Sequence, residues 1–246
     1  MTTVNEHAAK IAKPHTMYFI DHPTEVKKDG TPKRLRVPGV TTITGVMDKP
    51  ALVRWANDLG LAGISTKEYV DELATIGTLT HYLIECHLKG EKEYLDDYTK
   101  NQIDMAQNGA IRYLDWQQQT GFEPITIDGD QKSVEMQLVS KVYRFGGTID
   151  AYGKTRDGKH ILCDIKTSKG VFGEHKTQVG GGYAILLEEN GYHVDEVHIV
   201  RVGRTEDEGF DDITMSAQEV TNHKRRFFIC RELYESNKLC NSFYRG

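Results

Sequence analysis

The stretch GGTIDAYGKTRDGKHILCDIKTS, residues 146–168, decides how this chain folds. Two β-rich runs flank a turn at Asp157-Gly158, so the segment reads as a hairpin of two strands. Side chains alternate along a strand, which puts Asp164 and Lys166 on one face and Ile165 on the other. The place of Asp150 depends on the loop. A two-residue loop, Asp157-Gly158, sets Asp150 opposite Ile165. A three-residue loop, Arg156-Asp157-Gly158, with Gly158 left-handed in a bulge, sets it opposite Asp164. The second is expected, because it gathers two carboxylates and an ammonium on one face, and like charges so close need a cation between them. Asp-x-Lys alone is weak: most such pairs are the solvated or salt-bridged end of an ordinary strand.

The hairpin belongs to a chain of 246 residues, 38% hydrophobic and 27% charged, the composition of a folded protein with a real core. No apolar run approaches the ~18 residues of a membrane span. The opening MTTVNEHAAKIAKPHT is too polar for a secretory signal, and a cytoplasmic setting is expected. A net charge of −5 argues against a protein that coats nucleic acid. It leaves room for a local basic groove, and it suits carboxylates gathered around a divalent cation. Cys86, Cys163, Cys230 and Cys240 have no C-x-x-C spacing, which speaks against a disulfide scaffold or a zinc site.

Outward from the hairpin the pattern is a mixed α/β one (α+β). MYFID and KKDGTPKRLRVPG carry strand and turn signals, and VTTITGVM follows. KPALVRWANDLG reads as a helix with Pro50 in its first turn and Gly60 at its end. TKEYVDELATIGTLTHYLIECHL and DYTKNQIDMAQNGAIRYLDWQQQTG show helical spacing of apolar residues. Near residue 122 the texture changes to short β-rich runs: FEPITID, VEMQLVSKVY and the hairpin itself. GEHKTQVGGGYAILLEENG is helical, EVHIVRVG and FDDITMS are strands, and a helix from about Ala217 closes the chain. One domain, 1–246, is expected, with a mainly helical part (1–121) and a sheet core with its closing helix (122–246). GTIDAYGKT is not a P-loop: five residues separate its glycines where four are needed, and no helix start follows.

Four motifs stand in a telling order. They are Gly77 and His81 in GTLTHYLIE, Asp150 closing GGTID, Asp164 and Lys166 in DIKTS, and Gln178 and Tyr183 in the following helix. This order resembles the PD-(D/E)XK nuclease superfamily, specifically the RecB-like exonuclease branch found among phage recombination enzymes and CRISPR-associated exonucleases. VPGVTTITGVMDKPALVRWA is similar to the N-terminal segment of phage members, so the resemblance covers residues 37 to 200 or so. It implies a restriction-endonuclease-like core, with a central mixed sheet flanked by helices, and a metal-dependent DNA exonuclease in recombination, replication or end processing.

By the same resemblance, Asp150 and Asp164 would hold Mg²⁺ or Mn²⁺, with the Ile165 carbonyl and His81 as further ligands. Lys166 would orient or deprotonate the attacking water and offset charge on the phosphorus. Gln178 and Tyr183 would position the lysine and the scissile phosphate. Glu135 matches a glutamate that often precedes the Asp strand in this branch, and Glu85, one turn after His81, is a candidate to orient the imidazole. The bland readings are a satisfied core histidine at 81 and a solvated strand residue at 135.

One feature departs from the family pattern. Gln178 and Tyr183 are five residues apart, roughly 140° round a regular helix. Either the helix distorts at Gly180-Gly181-Gly182, or one of the pair does something else. Each of these glycines costs about 1 kcal/mol against alanine in a helix. Tight helix packing and close approach to nucleic acid explain them equally well.

DNA, as single strands or duplex ends, is the implied substrate, and a single-strand annealing or binding protein the implied partner. Lys33, Arg34 and Arg36, Thr167 and Ser168, and the cluster Lys224, Arg225 and Arg226 are candidates for backbone contact. Charge clusters are more often solvated faces. Tyr18, Phe19 and Trp55 are candidates for base stacking, against ordinary core packing. The cysteine spacing lacks the grouping of an iron–sulfur cluster, so none is expected. Two other readings stay open: an endonuclease of the same fold, and a catalytically silent nucleic-acid-binding module.

Overall fold

In the computed structural model, which describes residues 16–127 and 129–243, the chain opens with an antiparallel hairpin, β1 (Tyr18–Val26) and β2 (Pro32–Val37). Four helices follow: α1 (Val40–Thr44), α2 (Pro50–Leu61), α3 (Thr66–Lys89) and α4 (Lys100–Thr120). Short strands β3 (Glu123–Pro124), β4 (Thr126–Ile127) and β5 (Gln131–Lys132) lead to the long ones, β6 (Val134–Ser140), β7 (Phe145–Lys154) and β8 (His160–Lys166). A helical run then crosses over: α5 (Gly173–Lys176), a π-helical turn (Thr177–Tyr183) and α6 (Ala184–Glu189). Strands β9 (Glu196–Val202) and β10 (Phe210–Met215) and the long helix α7 (Ala217–Phe243) complete the chain. Residues 1–15, on which the expectation about a signal rests, lie outside the described residues. Among the described residues no helix is long and apolar enough to cross a membrane.

Local chemistry sets the helix ends. The Ser65 hydroxyl accepts from the Glu68 amide at the start of α3, and left-handed Gly90 stops it. Helix α4 opens with a capping box, Thr99 and Gln102, and ends at left-handed Gly121. Pro50 stands at the start of α2, as expected, but Gly60 is carried inside that helix.

The main sheet is mixed, with strands in the order β10-β9-β8-β7 and with β6 and β3 both pairing the far side of β7. All its neighbours are antiparallel except β8 and β9. That parallel pair requires a crossover connection, which the helical run 173–189 supplies.

The β7–β8 register is the one the three-residue loop demands. Ala151 pairs with Cys163 and Lys154 with His160. The loop closes through a Thr155 N–H bond to the Lys159 carbonyl, with Gly158 at φ +84°. The Arg156 N–H donates to the carbonyl of Thr120, which ties the loop to the end of α4.

Each face of the sheet carries its own apolar core. One contains Phe145, Ile149, Leu162, Val197 and Ile199, covered by α1, the crossover helices and α7 through Val40, Val179, Tyr183, Leu186 and Phe227. The other contains Ala151, Ile161, Cys163, Ile165 and Val200, covered by α3 and α4 through Leu79, Leu83, Tyr113 and Trp116. Strand β8 alternates strictly between the two. Strands β6 and β7 do not: Met136 and Ile149 face the first core, yet Val134 and Ala151 face the second. Pairing stays in step on both sides, Val134 with Ala151 and Met136 with Ile149, leaving one residue of each strand at the switch. Those two residues are Glu135 and Asp150.

Candidate functional site

The switch in strand face is built on backbone strain. Glu135 has φ +53°, a left-handed conformation that side-chain-bearing residues rarely adopt inside a strand. It turns β6 so that Glu135 and Asp150 meet across the pair, between the two helical layers. The Ile165 N–H donates to Asp150 Oδ2 at 2.8 Å, which fixes that carboxylate against β8.

Helix α3 reaches the same point because of Gly77. A side chain there would begin 2.8 Å from Thr167 Oγ1, so glycine lets the helix lie against the end of β8. One turn on, His81 Nδ1 comes 3.6 Å from Asp150 Oδ2. His81, Glu135 and Asp150 each bring one ligand atom within 4.8 Å of the others. Glu85, further along α3, holds Lys89 at 2.7 Å.

Asp164 lies beside this trio, 1% exposed. The Lys166 ammonium sits 2.5 Å from its Oδ2, and Oδ1 has no hydrogen-bond donor among the described residues. Burial pushes the Asp164 carboxyl up to about 6; Lys166 opposes the rise and the Asp150 carboxylate adds to it. Burial also works against the Lys166 ammonium, but Asp164 and Asp150 outweigh it and hold the lysine above its usual range. Lys166 is therefore a cation at neutral pH.

Across the first core, the crossover helix resolves the five-residue gap between Gln178 and Tyr183. The run Thr177–Tyr183 is π-helical, and bonding five residues apart returns both side chains to one face. Gln178 Nε2 donates to the Tyr183 hydroxyl at 2.8 Å. Burial, with Asp164 and Asp150 adding, drives the Tyr183 phenol well above its ordinary range, so it stays protonated. Its ring passes over Gly147, where a side chain would begin 2.8 Å from Tyr183 Cε1. The three glycines are packing devices: a side chain on Gly180 would meet Met215, on Gly181 the His223 carbonyl and Phe227, and on Gly182 Val40.

The remaining candidates divide. Ser168 donates to the Gly170 carbonyl and shapes the loop after Lys166. Lys33 pairs with Glu25 at 3.0 Å and Lys224 with Glu188 at 2.6 Å. Trp55 packs against Tyr69. Tyr18 forms part of the site wall: its ring lies on Gly146, and its hydroxyl shares a 2.9 Å hydrogen bond with Thr148, two residues before Asp150. Cys86, Cys163 and Cys230 are buried and Cys240 is exposed. Sequence reasoning missed His175, three residues before Gln178. Its Nδ1 accepts from the Phe172 N–H, and burial, then Lys166, lowers it to about 4, so it is neutral near pH 7. The helical spacing from Gln178 is the one signal that points to it. Nothing in the sequence marks the backbone strain at Glu135.

No family model matches the chain, and no curated relative was found for it. Among solved structures, one described as "Crystal structure of SSO0001" is 18% identical, covering 65% of this chain and 74% of that one at a TM-score of 0.28. At that overlap the reading of the site rests on the residues above.

Proposed function

We propose that this chain is a metal-dependent deoxyribonuclease of the PD-(D/E)XK superfamily, in its RecB-like branch, and that it works from DNA ends as an exonuclease. The observation that carries the proposal is the convergence of His81, Glu135 and Asp150 beside buried Asp164 and its half-buried partner Lys166. The topology supports it: an antiparallel β6-β7-β8 meander, a crossover helix and a parallel β9 follow the order of a restriction-endonuclease-like core.

The donor set suits a hard divalent cation. It offers carboxylate oxygens, one imidazole and the buried Asp164 carboxylate, whose Oδ2 is ion-paired with Lys166. In this reading His81, Glu135 and Asp150, with Asp164 beside them, would hold Mg²⁺ or Mn²⁺, which would supply positive charge at the phosphate and a more acidic water. The chain's own residues do the rest. Lys166, held as a cation, offsets the charge that builds on the phosphoryl oxygens as water adds to phosphorus and the bond to the leaving sugar oxygen breaks. Tyr183 accepts from Gln178 and so keeps its own proton to donate to a phosphate oxygen. The Ile165 amide fixes Asp150, and Gly77 seats His81 by letting α3 touch Thr167.

The test is digestion of end-labelled single- and double-stranded linear DNA with Mg²⁺ or Mn²⁺, beside a closed circle. Linear DNA should be degraded from its ends while the circle survives. Asp164→Ala or Lys166→Ala should lower the rate at least ~100-fold and leave DNA binding in place. Near-normal activity in either variant would sink the site assignment. Cleavage of the circle would move the protein to the endonucleases, and no degradation with either metal would leave a binding module.

A further inference from the structure

We propose that the β1–β2 hairpin is a nucleic-acid arm, which grips the backbone of the strand running to or from the site through Arg34 and Arg36. This rests on the nuclease reading above and adds a substrate-holding surface to it.

The root of the arm belongs to the site. Tyr18 lies on Gly146 and bonds Thr148, two residues from Asp150, and the Gly146 N–H donates to the Pro38 carbonyl. Ile20 and Val37 are buried there. Beyond that root the hairpin leaves the body: every residue from Pro23 to Arg34 is exposed. Nine residues of β1 span about 30 Å. A two-stranded ribbon in water is marginal by itself, and its exposed part contributes no core.

The pairing sorts its faces. Ile20 pairs with Leu35 and Tyr18 with Val37, and this face turns inward. Phe19 pairs with Arg36 and Asp21 with Arg34, and this face turns out. The Arg34 guanidinium lies over the Phe19 ring, 4.4 Å from its centre, a contact made before any ligand arrives. Among the described residues neither Arg34 nor Arg36 forms a salt bridge, in contrast to Lys33, which Glu25 engages. Lys27 and Lys28 stand exposed near the tip. Between residues 18 and 37 there are five Lys and Arg against three Asp and Glu, in a chain whose net charge is −5.

The chemistry points to a nucleic-acid backbone. Two guanidiniums that form no salt bridge among the described residues, two positions (about 7 Å) apart on one strand face, suit neighbouring phosphates of one chain. The adjacent ring offers a base a stacking surface. The root beside Asp150 puts both where a strand leaving the site first meets the protein.

The experiment measures binding by fluorescence anisotropy without divalent metal, from 50 to 300 mM KCl. The probe is a single-stranded or blunt duplex 30-mer, whichever the wild type binds more tightly. Arg34→Gln/Arg36→Gln should bind at least ~10-fold more weakly at 50 mM, with the slope of log affinity against log salt smaller by about 1 to 2. In the cleavage assay its loss should fall on KM. Lys67→Gln, which removes a lysine already paired with Asp71, should bind as the wild type does. If the double variant keeps wild-type affinity and salt slope while the wild type binds and cuts DNA, the arm is overturned and the nuclease reading stands. If the wild type neither binds nor cuts DNA, the nuclease reading falls and takes the arm with it.

Discussion

Glu135 holds the least comfortable backbone in the site, at φ +53° within a strand. Glycine adopts that conformation without steric strain. Glu135→Gly should therefore raise the stability of the metal-free protein by about 1 kcal/mol, because it relieves strain and removes a carboxylate facing Asp150. Metal-dependent cleavage should fall at least ~100-fold. Paired melting curves and nuclease assays check both halves, and a lower melting temperature would refute the strain argument. Asp164 gives a pH signature. Its carboxyl is held up at about 6 in the fold, chiefly by burial, against about 3.9 in an unfolded chain. The proton is thus bound more tightly by the folded state, so the stability it confers is full below about pH 4 and is lost as pH rises through about 6. Melting curves in EDTA should show Asp164→Asn gaining on the wild type between pH 4 and 7. A difference independent of pH would mean that Asp164 is not the group responsible.

At the level of elements, the π turn is the decisive device. The Gln178–Tyr183 spacing does not fit a regular helix, and the sequence left two explanations standing: a distorted helix or separate roles. The distortion is what forms, because the three glycines let the turn press into Met215, His223, Phe227 and Val40 at once. Helix propensity alone favours alanine over glycine by about 1 kcal/mol. Packing overrides it here. A methyl on Gly181 would begin 2.6 Å from the His223 carbonyl, which is backbone and cannot swing aside. Gly181→Ala should destabilise the protein by about 1–3 kcal/mol, measured by urea unfolding. A stabilised variant would show that the turn is loosely packed. The same turn couples its two polar residues. Gln178→Ala, Tyr183→Phe and the double variant should give non-additive losses of activity, and strictly additive losses would mean that the two act apart.

Across the whole molecule, the candidate ligands come from one helix and three strands: His81 from α3, Glu135 and Asp150 from β6 and β7, Asp164 from β8. A cation bound by them would tie α3 to the sheet. Free Mg²⁺ or Mn²⁺ at 100 times its dissociation constant should stabilise the fold by about 2.7 kcal/mol, a rise in melting temperature of about 5–10 °C. Asp150→Asn should abolish that rise. An equal rise in wild type and variant would place the ion elsewhere.

Much of this was legible in local chemistry. The x-Asp-Gly loop allowed two registers, and the charges favoured the three-residue one, in agreement with left-handed Gly158 and the pairing of Ala151 with Cys163. Apolar spacing marked the two long helices, whose ends are capped at Ser65, Thr99, Gly90 and Gly121 by residues within one turn. Other features needed contacts between segments far apart in the chain. Glu135 is left-handed because two strands change faces together, and no residue near 135 announces that. Lys166 pairs with Asp164 rather than standing free because the fold buries the carboxylate and leaves the half-buried ammonium beside it. Gln178 meets Tyr183 because α7 and α1 favour a π turn over an α turn. Short-range hydrogen bonding and alternation are written in neighbouring residues; strain, ion pairing in the interior and helix register are settled by what the rest of the fold presses against them.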